Sequence, residues 1–254
     1  MAMSSTVSTT TVLLRTMSDT VETDIHRVHV IANEILPHYK KKPLSFENLR
    51  RVADGPFDLF LIPLVFEAAY RREPAVIFNE ARRQEIREHA MRIAHKHGYD
   101  TTEPELIPGA EESLRAVRAA GLTNILITTG GRRFKHQAME ERGLGKYFDD
   151  IIDREETYFR KEQGFYHIFR RRNDKHLRIV LLSGTASYIK AGNNLERLVL
   201  GPRLLEVFTV ALATEHSYND EETLLAAGPK MLIHGLHELM PGLKEHDWLP
   251  ASAA

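Results

Sequence analysis

Apolar positions recur with two different periods and divide the chain into three stretches. Residues 9–14 are β-branched and aliphatic, which predicts a short buried strand. From Asp19 to about Tyr99 the pattern is helical. Ile25, Val28, Ile31, Ile35 and Leu36 fall at near three-four spacing, and residues 81–97 predict a long, charged amphipathic helix. Pro37, Pro43 and the Asp54, Gly55, Pro56 turn punctuate these helices, and no part of the stretch reads as a strand. From Glu105 onward, short apolar runs alternate with helical patterns. Ile125 to Ile127, Ile151 with Ile152, Ile179 to Leu182, Val207 to Leu212 and Met231 to Ile233 are the buried-strand candidates.

Strand-helix alternation of this length predicts an α/β fold, a Rossmann-like three-layer sandwich whose parallel sheet is covered on both faces. The first strand joins that sheet across a helical insertion. Residues 1–18 and 105–254 are therefore expected to form the core, and residues 19–104 an inserted α-helical cap.

Composition narrows the function. The chain has 254 residues and 43% hydrophobic content, enough for a core domain with a smaller insertion. Its 34 basic and 35 acidic residues nearly cancel, so no overall field draws it to nucleic acid or an anionic membrane. The basic runs Lys40 to Lys42 and Arg170 to Arg172 read as solvated helix ends or loops. Cysteine is absent, which excludes disulfides, thiolate metal sites and cysteine nucleophiles. No apolar run approaches the roughly 18 residues that span a bilayer. The N-terminal stretch is rich in Ser and Thr and free of acids, a composition shared with transit peptides, but reads as a tail entering the first strand. A soluble cytoplasmic protein, monomer or homodimer, is the expectation.

Several segments carry a resemblance. Residues 19–27 with 43–50, residues 107–114 with 119–122, the Gly143 to Ile152 stretch, and residues 219–228 with 237–241 occur in the order found in one family. Together they cover nearly the whole chain, which resembles the phosphoglycolate-phosphatase-like, helically capped members of the haloacid dehalogenase (HAD) superfamily. That resemblance implies a hydrolase-like site on four loops at the carboxyl ends of the sheet strands. The first loop supplies a nucleophilic Asp and, two residues on, an acid/base Asp. Anchored on Asp19, those positions fall on Val12 and Leu14, with Arg15 at the following glycine and Thr16 matching a small hydroxyl residue.

The other loops are partly kept. Thr128 matches the phosphate-contacting Thr or Ser of the second loop, and Thr129 and Gly130 open a turn whose amides can hold a phosphate oxygen. The alternative is a strand-ending Thr with a glycine turn for chain reversal. Lys161 resembles the family's third-loop lysine with both neighbouring prolines gone; its alternative is a surface lysine. In the fourth loop, residues 183–192 keep the frame but put Gly184 and Tyr188 where the metal-binding acids belong. Magnesium needs hard oxygen ligands, so the ion that the resemblance implies has lost its carboxylates. No cofactor, metal ligand or catalytic residue is assigned.

Thirteen histidines give no ligand spacing. His26 with His29 and His234 with His237 are three apart but lack the His-Glu-x-x-His arrangement, and His95 and His97 face different ways on a helix. Ser183 ends a strand without the glycines of a nucleophile elbow. The sequence therefore points to a catalytically degenerate HAD-like protein, a pseudoenzyme that serves as a binding or regulatory module. Thr128, Thr129, Gly130 and Lys161 are its candidate contacts to a small phosphorylated or anionic ligand. The alternative is a hydrolase with a displaced nucleophile, Asp19 or Asp24, or with metal-free chemistry in the old pocket.

Overall fold

The computed structural model describes residues 9–53, 80–98, 104–128, 139–153, 156 and 161–250. Its centre is a sheet in the order β5-β4-β1-β6-β8-β7, with β9 also on β8. These strands are β1 (Thr9–Thr16), β4 (Thr123–Ile127), β5 (Asp150–Ile152), β6 (His176–Ser183), β7 (Arg197–Leu200), β8 (Arg203–Leu212) and β9 (Met231–Ile233). All pair in parallel except β7, which runs antiparallel to the first half of β8, while β9 pairs with its last residues. The Gly201 turn, at φ 60°, reverses the chain between β7 and β8. The sequence reading found the six parallel strands and missed β7, a four-residue run too short to stand out from the turn that follows it.

Period-two alternation along β1 sorts the core onto two faces. Val12 and Leu14 pack with Ile179, Leu181 and Val207 against α5 (Lys161–Arg171) and α6 (Ala186–Asn194), through Phe165, Phe169 and Tyr188. Leu13 packs on the other face with Val180, Leu182 and Val210 against α4 (Ala110–Ala119) and α7 (Leu239–Glu245). Helices on both faces of a mostly parallel sheet give the expected three layers. Arg170 to Arg172 sit at the solvated end of α5, where Arg171 bridges Asp150 at 2.9 Å and Glu156 at 2.8 Å.

A separate apolar cluster joins α1 (Ile25–Ile35), α2 (Phe46–Val52) and α3 (Glu80–Lys96), through Ile25, Val28, Ile31, Leu49, Ile93 and Ala94. Ser45 caps α2 by accepting from the Asn48 amide at 3.2 Å. The stretch is not wholly helical: Glu22–Thr23 (β2) pairs antiparallel with Glu105–Leu106 (β3), a two-residue ribbon too short to leave a sequence pattern. The Asp54, Gly55, Pro56 turn lies outside the described residues.

This helical cluster is fastened to the core. The Arg50 guanidinium donates to the carbonyls of Ser217 (3.1 Å), Thr214 (2.6 Å) and Asn219 (2.9 Å), all on the loop after β8. Asn219 reciprocates by donating to the carbonyls of Arg50 (2.7 Å) and Ala53 (3.1 Å), and Tyr218 donates to Asp24 at 2.6 Å. One guanidinium thus satisfies three carbonyls, each through a charge-assisted bond. Arg50→Ala is expected to cost about 2–4 kcal/mol. Hydrogen exchange should speed up in α1 and α2 while the central strands stay protected.

Candidate functional site

In an open α/β sheet the ligand crevice lies outside the carboxyl ends of the strands. Here that mouth begins two residues later than the sequence alignment places it. β1 continues past Leu14, pairing Arg15 with Leu182 and Thr16 with Ile127. Val12 and Leu14 are therefore mid-strand core residues with no exposed surface, and the positions at the mouth belong to Arg15, Thr16 and Met17. The correction moves the expected aspartate positions off Val12 and Leu14. The first acid past the end of β1 is Asp19.

Arg15 points to the Leu13 face and is completely buried. Among the described residues its one hydrogen bond goes to the Ser113 hydroxyl at 3.2 Å, and Nε and Nη1 have no partner there. Desolvation brings its pKa down to about 9.

The acid at the mouth is Asp19. Its carboxylate is buried between the ends of β1 and β6, accepting from the Thr16 and Thr185 hydroxyls and from Ser183 at 3.4 Å. The Gly184 backbone adds a further bond. Burial raises its pKa and outweighs those bonds, which act in the opposite direction. Asp19 thus packs with the core strands rather than with the helices that follow it. Asp24, its rival as a displaced nucleophile, is engaged by Tyr218.

Gly184 explains why the fourth loop carries no acid at that position. A Cβ there would stand 2.9 Å from the Cβ and Oγ of Ser217 and 3.1 Å from the Cβ of Asp19. Four positions on, Tyr188 is buried, and the Lys161 ammonium sits 4.8 Å from its ring centre while bonding the Ser187 hydroxyl. Lys161 is thereby drawn to the start of α6 rather than left as a surface lysine.

Thr128 follows the end of β4 and is buried; its amide donates to the Ile152 carbonyl at 2.9 Å. Thr129 and Gly130 lie outside the described residues. Thr128, Asp19, Thr185, Met17, Tyr188 and Tyr218 meet around a cavity of about 40 Å³, room for roughly one water or one oxygen of a ligand. Sequence reasoning missed Met17 and Tyr218 here, and Asp19 as a member of the mouth. The spacing of Asp19 after Thr16 was the signal available for it.

A magnesium ion of the kind the fold family implies does not fit these residues. Both oxygens of Asp19 are already acceptors, and Gly184 leaves no room for a second carboxylate. Among the described residues, no group of three or more His, Asp or Glu side chains could hold a metal. No helix among them is long and apolar enough to cross a membrane.

No family model and no curated protein matches the chain. Solved structures do. A predicted phosphoglycolate phosphatase from Haemophilus somnus is 13% identical, with 91% of this chain and 96% of that one covered at a TM-score of 0.64. A predicted phosphatase from Clostridium acetobutylicum is 16% identical, with 94% and 100% covered at 0.65. A hydrolase of the haloacid dehalogenase-like family from Streptococcus pneumoniae is 10% identical, with 92% and 98% covered at 0.65.

Proposed function

The fold is that of the HAD-like phosphatases, and we propose that this chain uses it without their chemistry, as a pseudoenzyme that binds a small phosphorylated or anionic ligand. The observation that carries this reading is Asp19, the acid at the mouth, caged by three hydroxyls beside a glycine that admits no side chain. A carboxylate nucleophile needs a free lone pair aimed at phosphorus, and this one spends its oxygens on Thr16, Ser183 and Thr185. Residues 19–104 would serve as the helical cap, held down by Arg50.

Ligand contact would come from Thr128 and Lys161, with Thr129 and Gly130 as the further candidates read from sequence, and without a metal. The described cavity favours a single phosphoryl or carboxylate oxygen reaching Thr128 over an entire buried metabolite. The protein is expected to be a monomer or homodimer.

The experiment pairs two measurements. Hydrolysis of p-nitrophenyl phosphate with magnesium should not exceed the buffer rate, and inorganic phosphate without magnesium should raise the melting temperature. A Thr128→Ala, Lys161→Ala double variant should lose that rise. The second reading, a hydrolase with a displaced nucleophile, is favoured by one observation: Asp19 lines the same cavity as Thr128. Turnover that disappears in Asp19→Asn would establish it and overturn the pseudoenzyme.

A further inference from the structure

The least satisfied group in the described structure lies behind another opening. A groove of about 760 Å³ runs between the start of α4 and the loops after β8 and β9. It shares no residue with the cavity at Thr128. Ser113 forms part of its wall, and behind Ser113 stands Arg15, fully buried, with one hydrogen bond and two unpartnered nitrogens. None of the interactions of Arg15 is with a carboxylate. A second buried nitrogen on the same wall, Nδ1 of His216, also lacks a partner. The α4 N-terminus, begun by Gly109 at φ 78°, carries no side-chain cap.

Ser113, the first turn of α4 and Arg15 share one polarity. Ser113 accepts from Arg15, so its own O–H remains a donor. A first helical turn attracts negative charge, and a desolvated guanidinium behind it strengthens that field. The rest of the lining limits the ligand. Glu112 and Glu215 stand on the same groove and would repel a polyanion, while Ile107, Leu236 and Met240 offer hydrocarbon. The volume is that of an ordinary small-molecule site.

We propose that this groove binds a small organic monocarboxylate, its carboxylate held by Ser113 and the first turn of α4 with Arg15 as the buried counter-charge, and its apolar body against Ile107, Leu236 and Met240. Arg15 does not line the groove. It acts through Ser113, as a positioning residue.

The test is melting temperature at pH 7.5 in sodium benzoate, sodium phosphate and sodium chloride of matched ionic strength. Benzoate should raise it by about 5 °C at saturation, and phosphate by less in the Thr128→Ala, Lys161→Ala background. Calorimetric titration of benzoate should give one site. Ser113→Ala, which keeps helix propensity but removes the hydrogen bond of Arg15, should remove most of the benzoate rise relative to its own ligand-free melting temperature; Arg15→Met should do the same, and the Thr128→Ala, Lys161→Ala variant should keep it. The proposal is overturned if benzoate gives no rise, if the rise survives in Ser113→Ala, if phosphate matches benzoate in that double-variant background, or if the rise vanishes with Thr128 and Lys161. The last result would locate the ligand at the mouth of the sheet instead. Absence of any phosphate rise in the unsubstituted protein, with the benzoate rise present, would count against the proposed function and leave this groove standing.

Discussion

Arg15→Met is expected to make the protein more stable, by about 2–4 kcal/mol at pH 7 in buffer free of carboxylates. The side chain is wholly buried on β1, between Leu126 on β4 and Leu182 on β6, where methionine fits the surroundings. Burial brings the guanidinium down to about 9 with no opposing interaction, a lowering that corresponds to roughly 5 kcal/mol. The lost bond to Ser113 and imperfect filling offset part of the gain. The sign follows from a base whose folded pKa lies below its unfolded one. Its penalty is fully in force below about 9 and relaxes as the pH rises above that value. Urea unfolding of both proteins should therefore show the variant ahead at pH 7, with a gap that narrows by pH 10 or 11. A variant less stable than the parent at pH 7 would mean that Arg15 has a counter-charge after all.

Arg15 also marks where the sequence stopped being legible. The parallel sheet could be read because its strands are continuous apolar runs with helical patterns between them, and such runs are what burial on both faces requires. The helices α1 and α3 were readable from their three-four spacing. β7 was not, because an antiparallel edge strand of four residues is too short to show a period of its own. The end of β1 was not legible either. A charged residue inside a strand normally signals its end, so Arg15 made the strand appear to stop at Leu14. In the structure the backbone continues to pair because the β4 and β6 ladders on either side are intact through Ile127 and Leu182. Those two further residues of strand leave Val12 and Leu14 inside the sheet rather than at its mouth.

The site was legible in its parts and not in their relation. Thr128 and Lys161 are identifiable from local context, but the hydroxyl cage of Asp19 joins residues 16, 19, 183 and 185, which lie far apart in the chain. Arg50 and Asn219 are separated by 169 positions, and no local pattern announces a guanidinium that closes three carbonyls. Long-range polar networks of this kind depend on geometry that one sequence does not encode visibly.

Gly184→Ala should destabilise the fold by about 3 kcal/mol, and Gly184→Asp by more, with no gain of magnesium-dependent hydrolysis in either case. The new Cβ would meet three atoms close to the backbone rather than the movable end of a long side chain: Cβ and Oγ of Ser217 and Cβ of Asp19. Ser217 cannot swing away cheaply, since its hydroxyl donates to the Leu212 carbonyl at 2.5 Å and accepts from the Thr214 amide at 3.0 Å. Asp19 is fixed by its cage, and Ser217 is also one of the carbonyls that hold Arg50. Overpacking here therefore strains the mouth and the fastening of α2 together. A double-mutant cycle isolates the contact: Ser217→Gly removes two of the three clashing atoms, so Gly184→Ala should cost markedly less in that background. Equal costs in the two backgrounds would place the strain elsewhere. Coupling between them would show that the space a side chain at position 184 would need is occupied by this chain's own Asp19 and Ser217.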